Sequence, residues 1–243
     1  CCIYNNCIYL YIEICVLYRK GLKHLKKMKT VLHKSHTRGH ANHGWLDTNH
    51  TFSFANYYNE ERMNFGALRV LNDDFVDGGM GFGKHPHNNM EIISIPLSGD
   101  LEHKDSMGNT NVIKQNDIQI MSAGTGIQHS EYNKNKGEKV NFLQLWIFPK
   151  VKDIKPRYDQ KTFDPSVRTN TLQQIVSPLE TDPGVTINKD AWLHLGKLEE
   201  AFSSNYIVKR KDNGVYVFVI DGDITINDQK LNKRDGFGIW ETH

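Results

Sequence analysis

The chain has no cysteine after its fifteenth residue: Cys1, Cys2, Cys7 and Cys15 are all four it contains. No disulfide framework can therefore staple its body, and that usage fits a reducing cytoplasm. Long hydrophobic runs are missing too. The apolar stretch from Ile8 to Tyr18 is interrupted by Glu13 and is too short to span a membrane as a helix. It also lacks the basic N-terminal region and small-residue cleavage site of a signal peptide. Charge of one sign is scarce, with 30 Lys and Arg against 28 Asp and Glu and a formal net charge of +2. Without a basic stripe or domain, direct nucleic-acid binding is not expected. Sustained helical periodicity is also rare, Gly196 to Phe202 being one short candidate.

The first 27 residues differ from the rest. They hold Arg19, Lys20, Lys23, Lys26 and Lys27 against Glu13, so the remainder is slightly acidic. With no initiator Met ahead of Cys1, residues 1–27 read as a non-native or disordered extension upstream of a start at Met28; a short membrane or surface anchor is the alternative. From Met28 onward, short apolar or alternating runs are separated by Gly, Asn and Asp. Examples are Phe65 to Leu71, Glu91 to Leu97, Asp117 to Met121, Asn141 to Phe148, Val215 to Ile220 and Asp223 to Ile226. Many short strands between turn signals predict an all-β sandwich or barrel. A weak repeat relates Glu91 to Asp100, which ends Ser98-Gly99-Asp100, to Tyr216 to Asp223, which ends Asp221-Gly222-Asp223. It predicts two similar barrels in tandem over residues 28–149 and 185–243, joined by a Pro-rich, polar connection over 150–184. Ending at Trp240 to His243, just inside an apparent strand, the second barrel reads as truncated.

Chemistry concentrates in two stretches. In Gly81-Phe82-Gly83-Lys84-His85-Pro86-His87-Asn88-Asn89-Met90-Glu91, strand alternation would point His85, His87 and Glu91 the same way. In Gly124-Thr125-Gly126-Ile127-Gln128-His129-Ser130-Glu131, the glycines permit a tight turn, after which His129 and Glu131 share a face. A lone His-x-His pair is often a surface feature, but two same-face pairs beside Gly-rich turns point to a metal site. Three imidazoles and one carboxylate suit Fe(II), Mn(II), Ni(II), Cu(II) or Zn(II) and leave two positions open on an octahedral ion. Spacing alone leaves Glu91 and Glu131 both open as the carboxylate ligand.

Gly79, His85, His87, Glu91 and Gly99 follow the order of the first cupin motif, and Gly126, His129 and Asn133 that of the second. More specifically, Arg38 to Leu46 (RGHANHGWL), His50 to Phe54, His85-Pro86-His87 and Gly124 to Glu131 resemble the pirin family. Leu101 to Asn109 resembles its bacterial quercetin 2,3-dioxygenase-like branch. The resemblance runs from about Met28 to Trp240. It implies a tandem cupin (jelly-roll) fold, with one metal held by His85, His87, His129 and Glu131, iron(II) foremost and Mn, Ni, Cu or Zn as alternatives. Glu91 then becomes a neighbour that orients a histidine. It implies a metal-free second domain: laying Gly99 on Gly222 sets His85, His87 and Glu91 against Val208, Arg210 and Gly214. It further implies a cytoplasmic dioxygenase that opens flavonol-type aromatic substrates with O2 and releases carbon monoxide, Glu131 taking the substrate hydroxyl proton. Phe82 would wall the pocket or pack in the core. The alternative is an iron-binding, redox-responsive regulatory pirin that binds a protein partner. His33, His36, His40, His43, His50, His103 and His194 read as structural or surface residues.

Overall fold

The computed structural model describes residues 7–15, 28–200 and 202–241. Its strands in chain order are β1 (Cys7–Cys15), β2 (Lys29–His33), β3 (Gly39–Asn42), β4 (Leu46–His50), β5 (Leu68–Val76), β6 (Gly81–His87), β7 (Glu91–Ser98), β8 (Leu101–Asp105), β9 (Thr110–Ile113) and β10 (Asp117–Ser122). There follow β11 (Ile127–Asn133), β12 (Val140–Ile147), β13 (Arg157–Thr162), β14 (Leu172–Ser177), β15 (Val185–Thr186), β16 (Trp192–Leu198), β17 (Asn213–Asp221), β18 (Ile224–Ile226), β19 (Gln229–Leu231) and β20 (Gly236–Trp240). Helix among the described residues is confined to short 3-10 turns, and none is long and apolar enough to cross a membrane.

The N-terminal barrel is built from two sheets. A seven-stranded sheet, ordered β13-β10-β7-β12-β5-β4-β3, faces a four-stranded sheet, β6-β11-β8-β9. Leu46, Val76 and Phe142 of the larger sheet pack against Leu101 and Ile113 of the smaller. A second seven-stranded sheet runs β15-β14-β16-β1-β17-β20-β2, beside the β18-β19 hairpin. The two large sheets meet back to back: Ile93, Ile120, Leu143 and Leu145 share one buried cluster with Leu10, Ile12, Leu193 and Phe218. The other face of the second sheet, including Tyr9, Val217 and Phe237, packs with Leu231 inside the C-terminal barrel. Burial on both faces is why β12 and β17 read as nearly unbroken apolar runs. The architecture is all-β with two cupin barrels in tandem. Gly99 and Gly222 close the corresponding turns after β7 and β17, with φ of +74° and +81°.

The sequence reading needs correcting at four places. Residues 7–15, within the stretch expected to be non-native or disordered, are ordered: they form β1 between β16 and β17, in register with both. Glu13, which broke the apolar run, is fully buried, and its carboxylate accepts from Tyr206 Oη (2.9 Å), the Lys209 and Arg210 amides (2.8 and 2.9 Å) and Asn213 Nδ2 (3.0 Å). Residues 1–6 and 16–27 lie outside the described residues. β2, counted with the first barrel, pairs instead with β20 of the second sheet. The supposed connection 150–184 supplies β13 to the first large sheet and β14 to the second. Gly196 to Leu198, read as the start of a helix, ends β16, where pairing with β1 and β14 overrides the weak helical pattern.

Candidate metal centre

β6 and β11 pair antiparallel, with His85 opposite His129 and His87 opposite Ile127. The register then slips, so that Glu131 lies opposite Phe82. Along β11, Ile127, His129, Glu131 and Asn133 are buried while Gln128 and Tyr132 are exposed, so His129 and Glu131 both face inward. The turn before β11 depends on Gly124: its φ is +47°, and a Cβ there would lie 2.0 Å from the Ile154 carbonyl oxygen.

The His85, His87 and His129 rings converge, with centroids 4.4 to 4.9 Å apart. Their ligand atoms all lie within 4.8 Å of one another. His85 Nδ1 donates to the Gly83 carbonyl (2.8 Å), which leaves Nε2 as its lone-pair nitrogen. Burial, then the neighbouring imidazoles His85 and His103, push His129 down to about 3. Burial, then His129 and His85, push His87 down to about 4. Both rings are therefore neutral at pH 7, the form that binds a metal. His129 Nε2 is buried without a hydrogen-bond partner. An orphaned ring nitrogen beside two further imidazoles fits a divalent cation, which would supply the missing partner.

Glu131 spans the barrel to the opposite sheet. Ser94 Oγ donates to its Oε1 (3.0 Å) and Gln144 Nε2 to its Oε2 (2.7 Å), while Trp146 Nε1 donates to Gln144 Oε1 (3.1 Å). Each carboxylate oxygen keeps a second lone pair. Glu131 lies within 4.8 Å, atom to atom, of His103 and His129, a second set capable of holding a cation. Both such sets among the described residues are in the N-terminal barrel.

His85 and His87 open into a cavity of about 540 Å³, walled by Phe54, Phe82, Trp146, Gln144, Glu131 and Asp74. Trp146 stands edge-on to Phe54 and His87, with centroids 5.3 and 4.8 Å away. Phe82 both lines the cavity and packs edge-on to Trp45 (5.4 Å). Asp74 is buried in the wall, and burial pushes its carboxyl up to about 7 against the hydrogen bond from Thr48.

Glu91 is not where the alternation from His87 would put it. The chain turns at Asn88 to Met90, with Asn89 at φ +48°, and crosses to the other sheet. The Glu91 carboxylate is buried, accepting from Ser122 Oγ (2.8 Å) and the Asn188 amide (3.1 Å), not from a histidine. Sequence reasoning missed Asp74, Ser94, Gln144 and Trp146, which share no motif and come from three neighbouring strands of the facing sheet. It also passed over His103, whose spacing two residues before Asp105 was the available signal. His33 is structural, bonded through Nδ1 to Tyr216 Oη (2.8 Å), and His194 is buried against Tyr206. His40, His43 and His50 lie further from the ligands but line the cavity, His50 held by Asn72 (3.0 Å).

The family model described as Pirin matches residues 31–147, and that described as the quercetinase C-terminal cupin domain matches residues 174–243. Quercetin 2,3-dioxygenase of Escherichia coli (strain K12) is 45% identical over 86% of this chain and 89% of its own length. A pirin-like protein of Caulobacter vibrioides is 39% identical over 83% of this chain and 86% of its own. The crystal structure of the bacterial pirin YhhW from Escherichia coli in complex with nickel(II) superposes with a TM-score of 0.80 at 42% identity, covering 88% of this chain and 91% of that one. With this likeness running through both barrels, the chain belongs to the pirin family.

Proposed function

We propose that this chain is a metal-dependent dioxygenase of the quercetin 2,3-dioxygenase type, with His85, His87, His129 and Glu131 holding one divalent ion. Iron(II) is the native ion in this reading, and the substrates are flavonol-type aromatics opened with O2. The observation that carries it is the partnerless His129 Nε2 beside His85 and His87, which line an aromatic-walled cavity. An ion held there would act as a Lewis acid toward a substrate hydroxyl. Phe54 and Trp146 offer faces and edges to a planar ring. Glu131, steadied by Ser94 and Gln144, takes the hydroxyl proton. The chain after Cys15 has no cysteine, which suits the cytoplasm, where this reading places the protein.

The test is oxygen uptake and carbon monoxide release by the Fe(II)-loaded full-length protein with quercetin. Wild type should turn over and His129→Ala should not. Turnover that persists in His129→Ala would overturn the site. Tight metal binding without turnover across a flavonol panel would favour the redox-responsive regulatory reading instead.

A further inference from the structure

His103 of β8 is fully buried beneath the cluster, its ring against Tyr158 with centroids 4.8 Å apart. Its Nδ1 lies 3.4 Å from His129 Nδ1, and its Nε2 lies 3.3 Å from Asp105 Oδ2. Asp105 is itself anchored. It accepts from the Met107 amide (2.9 Å), the Asn109 amide (3.1 Å) and Asn109 Nδ2 (2.8 Å). A carboxylate only accepts, so the ring nitrogen facing it carries a hydrogen, and the neutral His103 ring has its lone pair on Nδ1. That lone pair can be satisfied only if His129 Nδ1 is the donor. His129 is then left with a bare Nε2, the atom without a partner in the protein.

We propose that Asp105 and His103 form a hydrogen-bond relay that fixes His129 as its Nδ1–H tautomer and holds its ring so that Nε2 is presented to the metal. The proposal rests on the reading of His129 as a ligand and makes His103 and Asp105 positioning residues. Partners of this kind fix a ligand's tautomer and orientation and raise its basicity. The competing arrangement would put the ion between His103, His129 and Glu131. It would take His129 through Nδ1 and leave an Nε2–H buried and unpaired, which is costly. The relay leaves no ring nitrogen of His129 or His103 in that state once Nε2 has its ion.

Long-range ¹⁵N–¹H correlation spectra of histidine-labelled full-length protein test this directly, with signals assigned through the His129→Ala and His103→Gln variants. The relay requires His129 to carry its hydrogen on Nδ1 in the metal-free protein and to keep it there when zinc(II) is added. His103→Leu should shift the metal-free tautomer toward Nε2–H and weaken zinc and nickel affinity by about 10- to 100-fold. His103→Gln can still accept from His129 and donate to Asp105, so it should recover most of that loss. A merely structural role would lower the thermal midpoint of both variants without moving the tautomer. An Nε2–H tautomer in the metal-free wild type overturns the relay alone, whether or not His103→Leu folds. Zinc bound at Nδ1 of His129 overturns it in favour of the second ligand set. Wild-type metal affinity in His129→Ala would remove the ligand reading beneath it.

Discussion

Glu91 and Glu131 show, at the scale of one residue, how backbone direction decides which carboxylate lies near the histidines. Both are buried carboxylates near His-rich stretches, and spacing alone allowed either. The backbone turn at Asn88 to Met90 sends Glu91 to Ser122 and Asn188, while the regular alternation of β11 keeps Glu131 with His129. Glu131→Gln should weaken nickel(II) affinity at least about tenfold, as measured by chelator competition, with Glu91→Gln near the wild-type value. Glu91→Gln should instead lower stability by about 1–2 kcal/mol in denaturant titration, through its damaged bonds to Ser122 and Asn188. Equal losses of nickel affinity in the two variants would contradict these placements. The candidate ligands were legible because His85 and His87 share one strand and His129 and Glu131 another. Ser94, Gln144 and Asp74 were not, because they reach the site from the facing sheet and nothing local marks them.

At the scale of elements, most strands were visible as alternating or unbroken apolar runs between turn residues. β1 was not credited, because Glu13 interrupts an apolar run and the flanks look unlike the rest of the chain. Buried charge is costly unless bonded, and Glu13 has four donors, two of them backbone amides. Glu13→Leu should leave those amides without their acceptor and cost about 2–4 kcal/mol, read as a lower urea midpoint. A midpoint unchanged from wild type would mean that β1 does not hold the second sheet together. Gly124 offers a parallel test in the first barrel. Gly124→Ala would force a Cβ onto the Ile154 carbonyl in left-handed backbone, so it should destabilise by at least about 1–2 kcal/mol and disturb the start of β11.

Acid should destabilise the whole metal-free molecule. Burial lowers His33, His87 and His194 to about 4 and His129 to about 3. Unfolded, each titrates near 6.5, so below that pH the unfolded chain binds more protons than the folded one. Their contribution is complete above pH 6.5 and is lost as pH falls toward 4. Asp74, raised to about 7, and Glu91, raised by burial, act in the opposite direction as pH rises. With five imidazoles, His50 included, against two carboxyls, denaturant midpoints should fall between pH 7 and pH 4.5. Nickel(II) should widen the difference, because it binds the neutral rings and adds stability only where they are deprotonated. A flat profile between those pH values would contradict the burial of these imidazoles.

The position of β1 also imposes an order in time. Its neighbours in the sheet are β16 and β17, and the bond from the Arg210 amide to Glu13 joins residues 197 apart in sequence. Contacts so distant along the chain form slowly, since a long loop must close before they are rewarded. On the ribosome, residues 7–15 emerge before residues 213–221 and must wait for them to be made. The strands around the metal centre, β3 to β13, are complete by Thr162. The first barrel can therefore assemble and take up a metal ion while the second sheet still lacks β14 to β17 and β20.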